Sequence, residues 1–148
     1  MEGLLCIRTT GFEGKSRLFK LIDNEEFILS RQIERVLNKD DGKIIHFLYS
    51  DEEFIGYAIT GEQMTFLDQR LMWIYLLEIS RSSQRKGYGS YLIESLSFDP
   101  LFVEVMWGKE KFYERNGFEC ISSDRMGSIM VKSDEASYYI DLWKREQE

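Results

Sequence analysis

The chain is poor in residues that would tie a fold together covalently or through a metal. It has two cysteines, Cys6 and Cys120, far apart and without metal-ligand spacing, and one histidine, His46, which does not complete a zinc set with them. Two reduced thiols acting as packing residues and no bound metal are therefore expected. Met1 to Thr10 carries no basic stretch leading into an apolar one, and no apolar run approaches the roughly 18 to 20 residues of a membrane span. A soluble, cytoplasmic protein without a membrane partner is the plain expectation. No internal repeat, low-complexity tract or linker interrupts the 148 residues, so one domain covering 1–148 is predicted, with a C-terminal extension over about 134–148.

Positive charge is also in deficit. Lys and Arg number 19 against 26 Asp and Glu, a net charge of −7. Such a chain repels phosphate backbones on average, which argues against nucleic acid as a partner and favours a cationic acceptor such as an amine or a lysine-rich peptide.

What is present alternates strand and helix patterns. Leu4 to Arg8 reads as a strand, followed by a turn and a first helix around Lys15 to Ile22. Asp23 with Glu26 three residues on has the form of a capping box, and Leu29, Ile33, Val36 and Leu37 repeat at helical spacing, predicting a second helix that ends near Asn38. Lys39-Asp40-Asp41-Gly42 is a turn signal, and Lys43 to Tyr49 and Phe54 to Thr60 form a hairpin candidate across an acidic turn. Leu71 to Ile79 is nearly unbroken apolar and aromatic, the pattern of a strand buried on both faces. After it come a polar loop, a helix over Tyr88 to Leu96 stopped by Asp99-Pro100, a strand over Leu101 to Trp107, and a short helix over Lys109 to Asn116 closed by Gly117. Ile121 to Lys132 supplies one or two more strands, and the tail places Tyr138, Tyr139, Leu142 and Trp143 on one helical side.

The chemistry concentrates where the buried strand meets the helix. Gln84-Arg85-Lys86-Gly87-Tyr88-Gly89-Ser90 turns backbone N–H groups and the positive end of a helix toward one place, where Arg85 and Lys86 add charge suited to a pyrophosphate. Two other phosphate motifs fail in detail. The dinucleotide fingerprint wants a small residue where Leu92 stands, and Thr9 to Ser16 ends in Gly-Lys-Ser but has Thr9 where the P-loop needs its first glycine.

Leu77-Glu78-Ile79, the Gln84 to Gly89 loop, and Lys111-Phe112-Tyr113-Glu114-Arg115-Asn116-Gly117-Phe118 together resemble, in order and spacing, the GNAT superfamily of N-acetyltransferases. The resemblance covers roughly Lys43 to Lys132 and implies an α/β (α+β) fold, a mixed, mostly antiparallel central sheet flanked by helices, with two splayed central strands. It also implies acetyl-CoA as cosubstrate. Backbone groups of Leu77, Glu78 and Ile79 would pair with the pantetheine arm, and Arg85, Lys86, Gly87, Tyr88, Gly89 and Ser90 amides with the Gln84 side chain would hold the pyrophosphate. Tyr113 would lie beside the thioester sulfur, where a phenol can donate to the leaving thiolate.

Glu78, a carboxylate in an apolar strand, is a second catalytic candidate, with an ion pair to a nearby Arg or Lys as its alternative. The expected reaction is transfer of an acetyl group to a primary amine by direct attack in a ternary complex, by a monomer or homodimer. The alternative is a catalytically silent acyl-CoA-binding sensor or docking module.

Overall fold

The computed structural model describes residues 3–38, 42–64 and 68–148. The turn predicted at Lys39 to Asp41 lies outside them. Seven strands form one mixed sheet in the order β1-β2-β3-β4-β5-β7-β6. They are β1 (Leu4–Thr10), β2 (Ile44–Ser50), β3 (Glu53–Met64), β4 (Arg70–Ile79), β5 (Leu101–Met106), β6 (Glu119–Ser123) and β7 (Gly127–Lys132). The helices are α1 (Gly11–Leu21), α2 (Ser30–Leu37), α3 (Tyr88–Ser95), α4 (Glu110–Arg115) and α5 (Ala136–Glu146), with a single 3-10 turn at Arg81–Ser83. The mixed, mostly antiparallel sheet with its helices is the fold expected from the sequence. Contacts divide the chain into two compact units, 3–61 with 75–96, and 62–74 with 97–148, taken in turn below.

In the first unit, β1 and β3 each pair antiparallel with β2. The acidic hairpin turn is Asp51-Glu52, both at positive φ (48° and 70°), as a two-residue connection between twisted strands requires. One residue later the register slips: Tyr49 faces Phe54 and Leu48 faces Gly56, so Ile55 is the extra residue of a bulge. Its carbonyl accepts the Ser80 N–H at 2.8 Å, at the end of β4. A side chain at Gly56 would meet the Glu78 carbonyl at 2.9 Å, so the close approach of these backbones depends on glycine there. Leu18, Phe27, Ile33, Leu37, Ile45, Phe47, Tyr57 and Ile59 make the core.

Two sequence expectations are corrected in this unit. Helix α1 begins at Gly11, so the phosphate-loop-like string through Ser16 is helix and not a cradle. The capping box at Asp23 and Glu26 does not form. Helix α2 starts at Ser30, and 22–29 is irregular, turned by Asn24, whose Oδ1 accepts the Glu26 N–H at 2.9 Å.

In the second unit, β4 and β5 are parallel over only three residues each, Met72–Ile74 against Leu101–Val103. β7 pairs antiparallel with both β5 and β6. Trp73 stacks on Phe102 (5.2 Å, 26°), and Tyr139 of α5 meets Phe102 edge-on at 5.5 Å. The tail is a helix docked through Ala136 and Tyr139, but Tyr138 is 52% exposed, so the expected single aromatic side is split. The long apolar pattern could not tell these two adjacent tyrosines apart, because helical spacing assigns a stripe wider than the contact.

Candidate active site

The end of β4 and the loop after it lie in the first unit. Ser80 to Ser83 closes a tight 3-10 turn, with Ser83 N–H on the Ser80 carbonyl at 2.9 Å. The Gln84 side-chain nitrogen donates back to the Ile79 carbonyl at 3.1 Å, bracing the loop against the strand it leaves. Arg85 (φ 64°) and Gly87 (φ 86°) both take the left-handed region, and Gly87 is the N-cap of α3. Glycine has no side chain with which to cap, and the first intrahelical bond is Tyr91 N–H to the Gly87 carbonyl, at 3.1 Å. The amides of Tyr88, Gly89 and Ser90 thus end the helix without intrahelical partners, beside the exposed Arg85 and Lys86. This arrangement binds anions, and the sequence pattern had located it correctly.

Glu78 is 7% exposed, and its surroundings differ from those expected. One carboxylate oxygen accepts the Tyr57 hydroxyl at 2.6 Å and the other the Ile28 backbone N–H at 2.7 Å. Burial first, then the hydrogen bond to and charge of Glu78, push the Tyr57 phenol far above its ordinary value, so it keeps its proton and donates. Glu26 completes the contact from the same irregular segment: its carbonyl accepts Arg81 N–H at 2.9 Å and its carboxylate Ser82 N–H at 2.7 Å. Sequence reasoning missed Tyr57 and Glu26 as partners of this region, because both lie distant along the chain and no local pattern marks them.

Tyr113 lies in the second unit, on α4. The helix closes with Phe118 N–H on the Tyr113 carbonyl (3.0 Å) and Gly117 N–H on the Glu114 carbonyl (3.1 Å), with Gly117 left-handed at φ 89°. These are the two bonds of a Schellman ending, and its usual apolar contact is here the edge-on packing of Tyr113 with Phe118 at 5.3 Å. Phe112 packs on the same ring at 5.1 Å. Burial pushes the phenol up to about 12, so Tyr113 is neutral throughout the physiological range. Its hydroxyl has no hydrogen-bond partner among the described residues.

His46 is fully buried on β2, with Nε2 2.8 Å from the Thr60 hydroxyl oxygen. Burial, then the positive charge of Arg8, lower its pKa to about 4, which makes it a neutral sheet residue as anticipated. A cavity of about 400 Å³ lined by Phe12, Lys15, Ser16, Phe19, Lys20 and Asp23 contains none of the candidate residues. Among the described residues no helix is long and apolar enough to cross a membrane.

No curated protein matches the chain by sequence. Solved structures match its fold closely. Escherichia coli ElaA has a TM-score of 0.62 at 13% identity, covering 88% of this chain and 99% of that one. The Bacillus subtilis N-acetyltransferase YlbP in complex with coenzyme A has 0.59 at 15%, covering 89% and 97%. The PaiA N-acetyltransferase of Thermoplasma acidophilum, also in complex with coenzyme A, has 0.57 at 16%, covering 88% and 98%. At these identities the likeness is one of fold. The assignment is carried by the sequence itself: residues 15–118 of the 148 match the sequence model of the Acetyltransferase (GNAT) family, a span that includes the strand end, the anion-binding loop and the Tyr113 helix, and the chain belongs to that family.

Proposed function

We propose that the protein transfers an acetyl group from acetyl-CoA to a primary amine by direct attack in a ternary complex, with residues 1–148 acting as one catalytic domain. The observation that carries this reading is the open N-terminus of α3, with Gly87 as a cap that offers no side chain and Arg85 and Lys86 beside it. Free amides and fixed positive charge are what a pyrophosphate needs. The coenzyme A complexes of YlbP and PaiA, which share the fold, support a CoA thioester as the ligand.

Within this reading the amides of Arg85 to Ser90 hold the pyrophosphate, while Gln84 shapes the loop by its bond to Ile79. Backbone groups of Leu77, Glu78 and Ile79 pair with the pantetheine arm. Tyr113 donates to the leaving sulfur. A phenol held near 12 keeps its proton more tightly than a thiol near 8.5, so its contribution is a hydrogen bond to the developing thiolate, and the proton itself comes from solvent or the departing ammonium. The net charge of −7 steers a cationic acceptor toward the protein. No metal enters the chemistry proposed.

Calorimetric titration with acetyl-CoA, followed by a thiol-release screen over primary amines, tests the proposal. Binding with turnover supports it. Binding without turnover on any amine makes the protein a CoA-thioester sensor, and absence of binding removes the cofactor assignment at Gln84 to Ser90.

A further inference from the structure

The segment between α1 and α2 is irregular yet heavily fastened. Asn24 turns it by bonding Glu26 N–H and the Leu21 carbonyl, at 2.9 and 3.0 Å. Phe27 drops into the core against Phe54 and Tyr57, with ring centres 5.2 and 6.0 Å away. Ile28 then turns outward, 78% exposed, while its N–H is held by Glu78. Glu26 adds two further bonds, from the Arg81 and Ser82 amides of the turn that opens the cofactor loop. Three hydrogen bonds thus join 26–28 to 78–82, and two of the accepting groups are carboxylates, whose bonds to N–H are stronger than neutral ones.

We propose that Glu78 is a positioning residue and not the proton acceptor: backed by Tyr57, its carboxylate fastens the 24–29 segment onto the end of β4, and Ile28 on that segment forms the wall against which the acceptor amine is set. The placement rests on the reading of β4 as the pantetheine-bearing strand. The two oxygens of Glu78 already serve the Tyr57 hydroxyl and the Ile28 amide. A proton arriving on either would turn an acceptor into a donor facing a donor, and would break the fastening at each turnover. Glu78 is therefore suited to hold its charge.

The substitutions Glu78→Gln and Glu78→Ala separate the two roles. A glutamine carbonyl can accept from Ile28 N–H while its amide donates to the Tyr57 oxygen, so the fastening survives, but an amide cannot take up a proton at neutral pH. In Glu78→Ala, Ile28 amide hydrogen exchange should rise about tenfold or more, and KM for the amine about tenfold, while acetyl-CoA affinity stays within about twofold. Glu78→Gln should restore both and leave the pH profile of turnover in place.

Loss of turnover by about a hundredfold in Glu78→Gln, with loss of the acidic limb of the profile, would make Glu78 the base and overturn the proposal. Unchanged Ile28 exchange in Glu78→Ala would overturn it as well. Should Glu78→Ala fail to fold because the Tyr57 hydroxyl is left buried and unpaired, the double variant with Tyr57→Phe removes that cost. If the native protein neither binds acetyl-CoA nor turns over, the proposed function fails by itself, and the exchange measurement still decides whether Glu78 holds the segment.

Discussion

Tyr57 in the first unit and Tyr113 in the second are both phenols raised above their ordinary value, each chiefly by burial. Their hydroxyls have opposite fates. Tyr57 is fully buried and donates to Glu78 at 2.6 Å, inside a unit whose interior also holds His46, Thr60 and Ser80. Tyr113 is held by aromatic edges and by the backbone bonds that close α4, and no described residue takes its proton. A hydroxyl committed to a carboxylate is part of the scaffold. One fixed in place but chemically unengaged remains available to a substrate.

The sharpest way to break this contrast is Tyr113→Phe. Removing a donor that acts on charge developing in the transition state should lower kcat about 10²- to 10³-fold, with acetyl-CoA affinity in calorimetry nearly unchanged. Unaltered kcat would make Tyr113 a packing residue like its neighbours Phe112 and Phe118.

Acid should then find the first unit before the second. His46 has a folded pKa of about 4 against 6.5 when exposed, so the unfolded chain binds the extra proton between those values. Stability is fully present above pH 6.5 and declines as pH falls toward 4, by about 3 kcal/mol from this one residue. Thermal melts across that range should show the decline, and His46→Gln should flatten it.

The smallest of these effects is Tyr57→Phe, which removes one hydrogen bond to a charged group and should cost about 2 kcal/mol in denaturant melts. Its signature is lost stability, where Tyr113→Phe loses turnover at nearly constant stability. If the two variants exchanged signatures, the division between scaffold and chemistry drawn above would be reversed.

The parts legible in the sequence are those written in neighbouring residues. The order of strand, Gln84 to Ser90 loop and helix, and the Tyr113 to Phe118 closure, each depend on bonds within a few positions, so pattern and structure agree. The contacts of Glu78 are not of that kind: Tyr57 lies 21 positions away and Ile28 50. Glu26 shows how a local rule is overridden. Three residues after Asp23 it has the form of a capping box, but its carboxylate gains more from the Ser82 amide, 56 positions on, than from a helix that begins only at Ser30. The side chain of Gln84 was expected on the pyrophosphate and instead braces the loop through Ile79, a bond that spacing alone does not reveal.

The ending of α4 has a consequence for how this protein can vary. The aim of Tyr113 is set by main-chain bonds to Gly117 and Phe118, not by the side chains of Lys111, Glu114 or Arg115, which point away as exposed residues. Those three positions are free to drift in charge and size, and so to retune what approaches the protein from solvent, without disturbing the phenol. The constraint falls on one glycine, where φ of 89° excludes nearly every replacement. Diversity in acceptors and constancy in the reacting group can therefore be inherited on the same short helix.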